Sequence, residues 1–379
     1  MLLWLCLMAR VRPSQIVTEG IVLDILVVGA GPAGLAAATV AAQAGADVLL
    51  VDGATWAGGR LALQTQPLQG PRSIFEGQNG VDFCSDLVNQ ALDAGVDIRL
   101  GTKVTTLVYL TDGGFSASVS EEKSSISARA VILSTGSNEP ATSLPGSDLP
   151  GVLLSGEAQE MLNVDGKLPG KRIVMVGSDN AGLLISANLM DAGAEVIALV
   201  EESSRLVGRE VNLEPLLARG VQFLVSTQVL TASGEGRLEQ VELRNAASEV
   251  LQLYVDVMCL AGLRIPNMDM ECPGELVLSE QAALGGLVPV HDKRMSTSAT
   301  GFYVCGDASG VENGAAALES GRIAGLSAAQ DLGYQMLHAA GLISRAGGRL
   351  GYLRRGRRGS LRSSAKNVLA AEHRKLACC

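Results

Sequence analysis

The sequence predicts an α/β protein in which one βαβ domain is inserted into another. Two observations carry this: a segment that recurs at a constant spacing, and a composition suited to parallel strands buried on both faces. Of 379 residues 47% are apolar, only 3% aromatic and 18% charged, with 45 glycines. Strands of Val, Ile and Leu under Ala-rich helices, with glycine at tight βα turns, have this make-up. Disordered chains do not.

The first copy of the repeat is Ile25-Leu-Val-Val-Gly29-Ala-Gly-Pro-Ala-Gly34, an Ala-rich helix to Gly45, then Asp47-Val-Leu-Leu-Val-Asp52. The second is Ile173-Val-Met-Val-Gly177-Ser-Asp-Asn-Ala-Gly182, a helix to Gly193, then Glu195-Val-Ile-Ala-Leu-Val-Glu201. Glycines 29, 34 and 45 recur at 177, 182 and 193, an offset of 148. Each copy reads as apolar strand, Gly-rich turn, helix ended by glycine, and second strand. A later stretch, Gly301-Phe-Tyr-Val-Cys-Gly306-Asp307 followed by an Ala/Gly-rich helix from about Gly314, reads as a return to the first domain. The expected organisation is an extension over 1–20, a first domain over 21–145 and 285–335, a second over 150–275, and a basic, flexible tail over 336–379. Pro145 and Pro150 mark the crossing between domains.

The net charge of −9 is unevenly spread. Residues 336–379 hold ten Lys/Arg against one acid, Glu372, a net +9, which leaves 20 bases against 38 acids, or −18, elsewhere. An acidic body argues against nucleic-acid binding, and a basic run such as Arg354–Arg362 is expected to be solvated. The apolar run Leu2–Met8 is too short to span a membrane and has no basic stretch before it. A soluble, cytoplasmic protein is expected. Seven cysteines (6, 84, 259, 272, 305, 378, 379) form no CxxC and no metal-ligand spacing. Cys84 and Cys305 read as core, Cys272 as a loop residue, and Cys378-Cys379 as a dithiol, a lipidation site or a terminus without a role. The histidines (291, 338, 373) are too scattered for a metal site or a triad; His291-Asp292 reads as a loop anchor.

The first turn has a full dinucleotide context. Gly29 permits the tight turn, Gly31 lets backbone approach a pyrophosphate, and Gly34 lets helix and strand pack closely. Pro32 and Ala33 open the helix, whose N-terminus favours anions, and Asp52 stands where an acid reads a ribose diol. The second turn departs from this pattern, because Asp179 replaces the middle glycine and its carboxylate repels a pyrophosphate. Gly177, Asn180, Ala181, Gly182 and Glu201 are its candidate contacts. NAD(P), ATP or no nucleotide all remain open for it.

Further motifs select the nucleotide. Trp56-Ala-Gly58-Gly59-Arg60-Leu61, Ala130-Val-Ile-Leu-Ser-Thr135-Gly136 and Phe302-Tyr-Val-Cys-Gly306-Asp307 follow in order. Together with the first turn they resemble the FAD-binding set of two-dinucleotide-fold flavoproteins of the pyridine nucleotide-disulfide oxidoreductase type. The resemblance implies two Rossmann-like domains in a thioredoxin-reductase-like arrangement and FAD in the first. It puts Gly59, Arg60 and Leu61 along the pyrophosphate, Thr135 and Gly136 at the facing turn, and Gly306 and Asp307 at the ribityl chain. The helix N-terminus at Ala315 would face the pyrimidine edge of the flavin.

A narrower set is Gly58-Gly-Arg-Leu…Gln64-Thr65, Gly177-Ser…Asn180-Ala-Gly-Leu, Leu287-Val-Pro-Val-His291-Asp292 and Gly306–Arg322. It resembles the FAD subunits of heteromeric amine oxidases and dehydrogenases: opine oxidase A, sarcosine oxidase α, proline dehydrogenase α and a hydrogen cyanide synthase component. That likeness implies two-electron oxidation of an amine or amino-acid-type substrate beside a second redox subunit. Two alternatives stay open: an NAD(P)H-dependent reductase feeding a partner protein, and a non-catalytic nucleotide-binding subunit. No catalytic side chain is assigned, and the lack of a redox-active CxxC argues against a disulfide reductase.

Overall fold

The computed structural model describes residues 22–377, apart from 76, 112, 121–124 and 141. The run Leu2–Met8, the rest of the 1–20 extension and Cys378-Cys379 lie outside the described residues. The chain runs through β1 (Val22–Val28), α1 (Pro32–Gln43), β2 (Val48–Val51), a helical turn at Gly59–Ala62, α2 (Gly80–Asp93), β3 (Asp97–Arg99), β4 (Val104–Tyr109), β5 (Phe115–Val119) and β6 (Ser125–Leu133). Then come β7 (Val152–Leu154), α3 (Ser155–Asn163), β8 (Arg172–Val176), α4 (Asn180–Asp191), β9 (Glu195–Val200), α5 (Glu210–Ala218), β10 (Gln222–Leu224), β11 (Gln228–Ser233), β12 (Gln240–Arg244), β13 (Val250–Tyr254) and β14 (Val257–Leu260). The last elements are β15 (Phe302–Val304), a 3₁₀ turn at Gly306–Ser309, α6 (Gly314–Asp331), α7 (Ala339–Leu353) and α8 (Arg357–Leu376).

The chain divides into two compact units, changing over between Asn138 and Glu139 and again between Arg264 and Ile265. The prolines at 145 and 150 therefore lie inside the second unit. The cause is a short antiparallel ladder, Ser137–Asn138 on Ile265–Pro266, which ties both crossings to the first unit.

In the first unit the sheet order is β3-β2-β1-β6-β5-β4, with β15 also on β6. β6 serves two neighbours along one edge: Ser125–Ala128 pair antiparallel with β5, and Val131–Leu133 pair parallel with β15. Side chains alternate with the pleat. Ile25, Val27, Leu50 and Ile132 join the core that includes α1 and α6. Leu26, Val28, Leu49 and Leu133 join the core that includes β4 and β5. A Cβ on Gly321 or Gly325 of α6 would come within 2.1 Å of Ala33 O or 2.2 Å of Ala37 O. Only glycine lets α1 and α6 approach that closely.

The second unit has an all-parallel sheet, β10-β9-β8-β14-β7, and a three-stranded antiparallel meander of β11, β12 and β13. One core joins the sheet to α4 and α5 through Leu183, Leu189, Leu213 and Leu216. Another joins the sheet to the meander through Ala198, Val200 and Met258 against Val241 and Leu243.

The tail corrects an expectation. Residues 339–376 are not a flexible appendage but two packed helices. Ala346 and Leu350 of α7 join the core of α1 and α6, and Ala365 and Leu369 of α8 cover Leu284, Val288 and Val290. Its cations meet acids on the first unit: Arg349 lies 2.9 Å from the buried Glu319, and Arg354 grips Glu312 bidentately, at 2.7 Å at the closest. Composition shows the basic run but not the buried carboxylates that order it. No helix among the described residues is long and apolar enough to cross a membrane.

Candidate functional site: two Gly-rich turns

The first turn lies where β1 is flanked by β2 on one side and β6 on the other, all parallel. At such a switch in strand order the turns after the two central strands diverge and leave a crevice at their carboxyl ends. Gly34, inside α1, has no room for a side chain, since a Cβ there would sit 1.8 Å from Gly29 O. The turn after β6 meets it: Ser134 Oγ donates to Gly29 O at 2.8 Å, which places Thr135 and Gly136 beside the turn.

The helix start itself is open. Gly31 is the N-cap of α1, in extended conformation, and no side chain caps the helix. Pro32 takes the first position, where its missing N–H costs nothing, and Ala33 and Gly34 follow. A Cβ built on Gly31 meets nothing within 4 Å. With no side-chain cap, the N–H groups at this helix start are not taken by a side chain, the arrangement an anion needs. Asp52, at the end of β2, accepts from the Ala30 N–H at 2.6 Å and the Ala54 N–H at 2.8 Å. Burial pushes its carboxyl above the usual range despite those bonds. Two backbone donors leave oxygen lone pairs for a ribose diol.

The remaining candidates all belong to this unit. Gly58 N–H donates to Ala30 O at 2.7 Å, so Gly59, Arg60 and Leu61 start a helical turn beside the first turn, and a Cβ on Gly59 would sit 3.3 Å from Gly31 Cα. Thr135 Oγ1 donates to Asn267 O at 2.7 Å. Asp307 is held from two sides, by Ser137 Oγ at 2.8 Å and Glu312 N–H at 3.0 Å, and Gly306 N–H donates to Ser320 Oγ at 2.9 Å. Asn313 caps α6 by accepting from Ala316 N–H at 2.9 Å, and Ala315 is buried in that first turn. Asn313 stands before a Gly-Ala-Ala-Ala run, a cap signal visible in the sequence. Ser137, 170 positions from Asp307, gives no such signal.

The described cysteines serve packing. Cys84 lies behind Gly58, its Sγ 3.6 Å from Gly58 O, and burial pushes its thiol up to about 12. Burial also pushes Cys305 to about 12 and Cys272 to about 11, so neither is a thiolate near neutral pH. Cys84, Cys259, Cys272 and Cys305 are all free, and no metal-ligand cluster occurs among the described residues.

At the second turn the same positions are taken. Asp179, the N-cap of α4, accepts from the Gly182 N–H at 2.9 Å. Glu201 accepts from Ser178 N–H at 3.0 Å, Ser178 Oγ at 2.7 Å and Ser203 N–H at 2.9 Å, and shares the Ser203 Oγ proton, at 2.8 Å, with Arg205 O. Burial alone would raise its carboxyl, but these bonds outweigh it and hold Glu201 below the usual range. Asn180 Oδ1 accepts from Arg209 N–H and Asn212 Nδ2, at 2.9 and 3.1 Å. Gly208 N–H donates to Ser178 O at 2.7 Å. Gly177, Ala181 and Gly182 thus lie in a turn already bonded to its own chain. This donor set fits a closed loop and not a pyrophosphate.

The comparison with known proteins follows this geometry. The family described as pyridine nucleotide-disulphide oxidoreductase matches residues 23–333. The chain belongs to that family. An opine oxidase subunit from Rhizobium meliloti is 28% identical over 341 residues, covering 82% of this chain and 63% of the relative. The alpha subunit of sarcosine oxidase from Rhizobium meliloti (strain 1021) is 28% identical over 303 residues, covering 74% and 29%. The ferredoxin–NAD(+) reductase of the benzene 1,2-dioxygenase system of Pseudomonas putida is 30% identical over 238 residues, covering 57% and 50%. The chain thus spans under two thirds of each of these relatives.

A T. acidophilum thioredoxin reductase superposes with a TM-score of 0.70 at 24% identity, covering 82% of this chain and 98% of that one. It shares the fold. The family is one of FAD-dependent oxidoreductases.

Proposed function

We propose that this oxidoreductase is the FAD-carrying subunit of a heteromeric, cytoplasmic enzyme that takes two electrons from a secondary amine or amino-acid-type substrate. The observation that supports it is the pair of turns: one open to a dinucleotide, the other closed by its own side chains. The relatives bearing the names of opine and sarcosine oxidase subunits point to the substrate class and to a second redox subunit.

The residues divide the work. Backbone N–H groups at Gly31, Ala33 and Gly34 would take the FAD pyrophosphate, with Gly59, Arg60 and Leu61 along its other side. Asp52 would hold the ribose, Gly306 and Asp307 the ribityl chain, and Thr135 and Gly136 would close the facing turn. Bound there, FAD supplies a hydride acceptor. The N-terminus of α6 at Ala315 would offer partial positive charge to the negative charge that reduction places on a flavin bound there. Among the described residues the free cysteines Cys84, Cys272 and Cys305 have raised thiols, which supports an electron route that does not use them.

An anaerobic titration of the yellow protein with sarcosine, proline and an opine, against NADH and NADPH, tests the reading. Bleaching of the flavin band by an amine and not by NAD(P)H is expected. Bleaching by NADH alone would overturn the substrate class and make the chain a reductase.

A further inference from the structure

The backbones of the two turns agree while their side chains do not. Gly31 has φ −72° and ψ 178°, and Asp179 has φ −71° and ψ 173°. Both are N-caps one residue before a helix of 12 residues. Neither conformation requires glycine, so the difference between them is chemical. At α4 the Asp179 carboxylate accepts the Gly182 N–H, taking an anion's place at the helix end. At β9 the acid that would read a ribose is filled by Ser178 and Ser203. Segment 203–209 folds back on the turn: Val207 N–H donates to Ser178 Oγ at 3.1 Å, and Arg209 N–H to Asn180 Oδ1.

We propose that the second unit keeps the dinucleotide fold but takes no nucleotide, with Asp179 standing in for the phosphate and Glu201 committed to Ser178 and Ser203. A phosphate approaching α4 meets a negative charge and finds the Gly182 N–H engaged. A ribose finds no free lone pair on Glu201 unless the serines let go. The unit then acts as a rigid body whose βαβ core is retained for stability, and no hydride is delivered through it.

Binding to the FAD-loaded protein tests this separately from the choice of electron donor. NADH, NADPH and ATP are each titrated by calorimetry against wild type and Asp179→Gly, with thermal melting as the check that both are folded. Wild type is expected to give no saturable heat with any of the three. Asp179→Gly, which copies the first turn, is expected to give saturable heat with at least one of them. Should the glycine variant not fold, Asp179→Ser keeps a neutral cap and carries the same expectation. Saturable binding by wild type, or no gain in a folded variant, overturns the proposal. Loss of FAD from wild type is a different failure, because it would concern the first turn.

Discussion

The turns after β1 and after β8 share one design and differ in where their polar groups point. At the first, the helix end is uncapped, the space around Gly31 is clear, and Asp52 is held by two backbone donors only. At the second, the helix end is capped by Asp179 and Glu201 is held by four donors. A βαβ fold therefore does not make a binding site. What makes one is leaving strong hydrogen-bonding groups unsatisfied by the protein, which lowers stability.

Transplanting the difference gives the largest effect. Gly31→Asp puts the second turn's cap into the first, where the backbone already accepts it. A carboxylate about 4 Å from a phosphate is repelled by about 4 kcal/mol at an effective dielectric of 20, roughly a thousandfold in Kd. The variant is expected to purify colourless with the apoprotein's melting little changed; retained flavin absorbance would break the comparison.

Matched truncations of the two acids should fail in different ways. Asp52→Ala is expected to weaken FAD by about 10- to 100-fold, the worth of hydrogen bonds to a charged group, read by flavin fluorescence. Glu201→Ala is expected to leave FAD affinity alone and to cost about 1–3 kcal/mol of stability, by stranding the buried donors of Ser178. Urea unfolding distinguishes the two.

Acid sharpens the contrast with the smallest effect. Glu201 is held below its ordinary 4.5, so its contribution is present above that pH and is lost as pH falls through its folded value. Asp52 is raised above 3.8, so its contribution is present below that pH and is lost as pH rises through its folded value. Over about pH 6 to 3, Glu201→Gln should flatten the acid loss of stability and Asp52→Asn should steepen it. Shifts in the same direction for both would count against the assignment.

The repeat was legible because it is local, a glycine spacing, and the inserted order of the domains followed from the return of a late strand to the first unit. Asp179 was legible too, as a departure from that spacing. What closes the second turn was not, since nothing in the sequence joins Ser203 or Gly208 to Ser178 until β9 has paired with β8. The tail failed for a related reason. Its arginines read as solvated charge because their partners, Glu312 and Glu319, are acids buried elsewhere in the first unit. Long-range pairing of charges leaves no periodic trace.

The C-terminal helix has a consequence for how the chain is made. Lys366 reaches from α8 into the first unit, donating to Ser309 Oγ at 2.9 Å, to Ser309 O, and towards His291 Nε2 at 3.3 Å. Ser309 belongs to the 3₁₀ turn that carries Asp307. The inserted unit, closed by residue 264, emerges from the ribosome as one continuous piece and can fold on the way. Its host cannot: β6 waits for β15, and the Asp307 turn waits for Lys366 of α8. The strands of the first unit made before the insert are completed only by residues made after it.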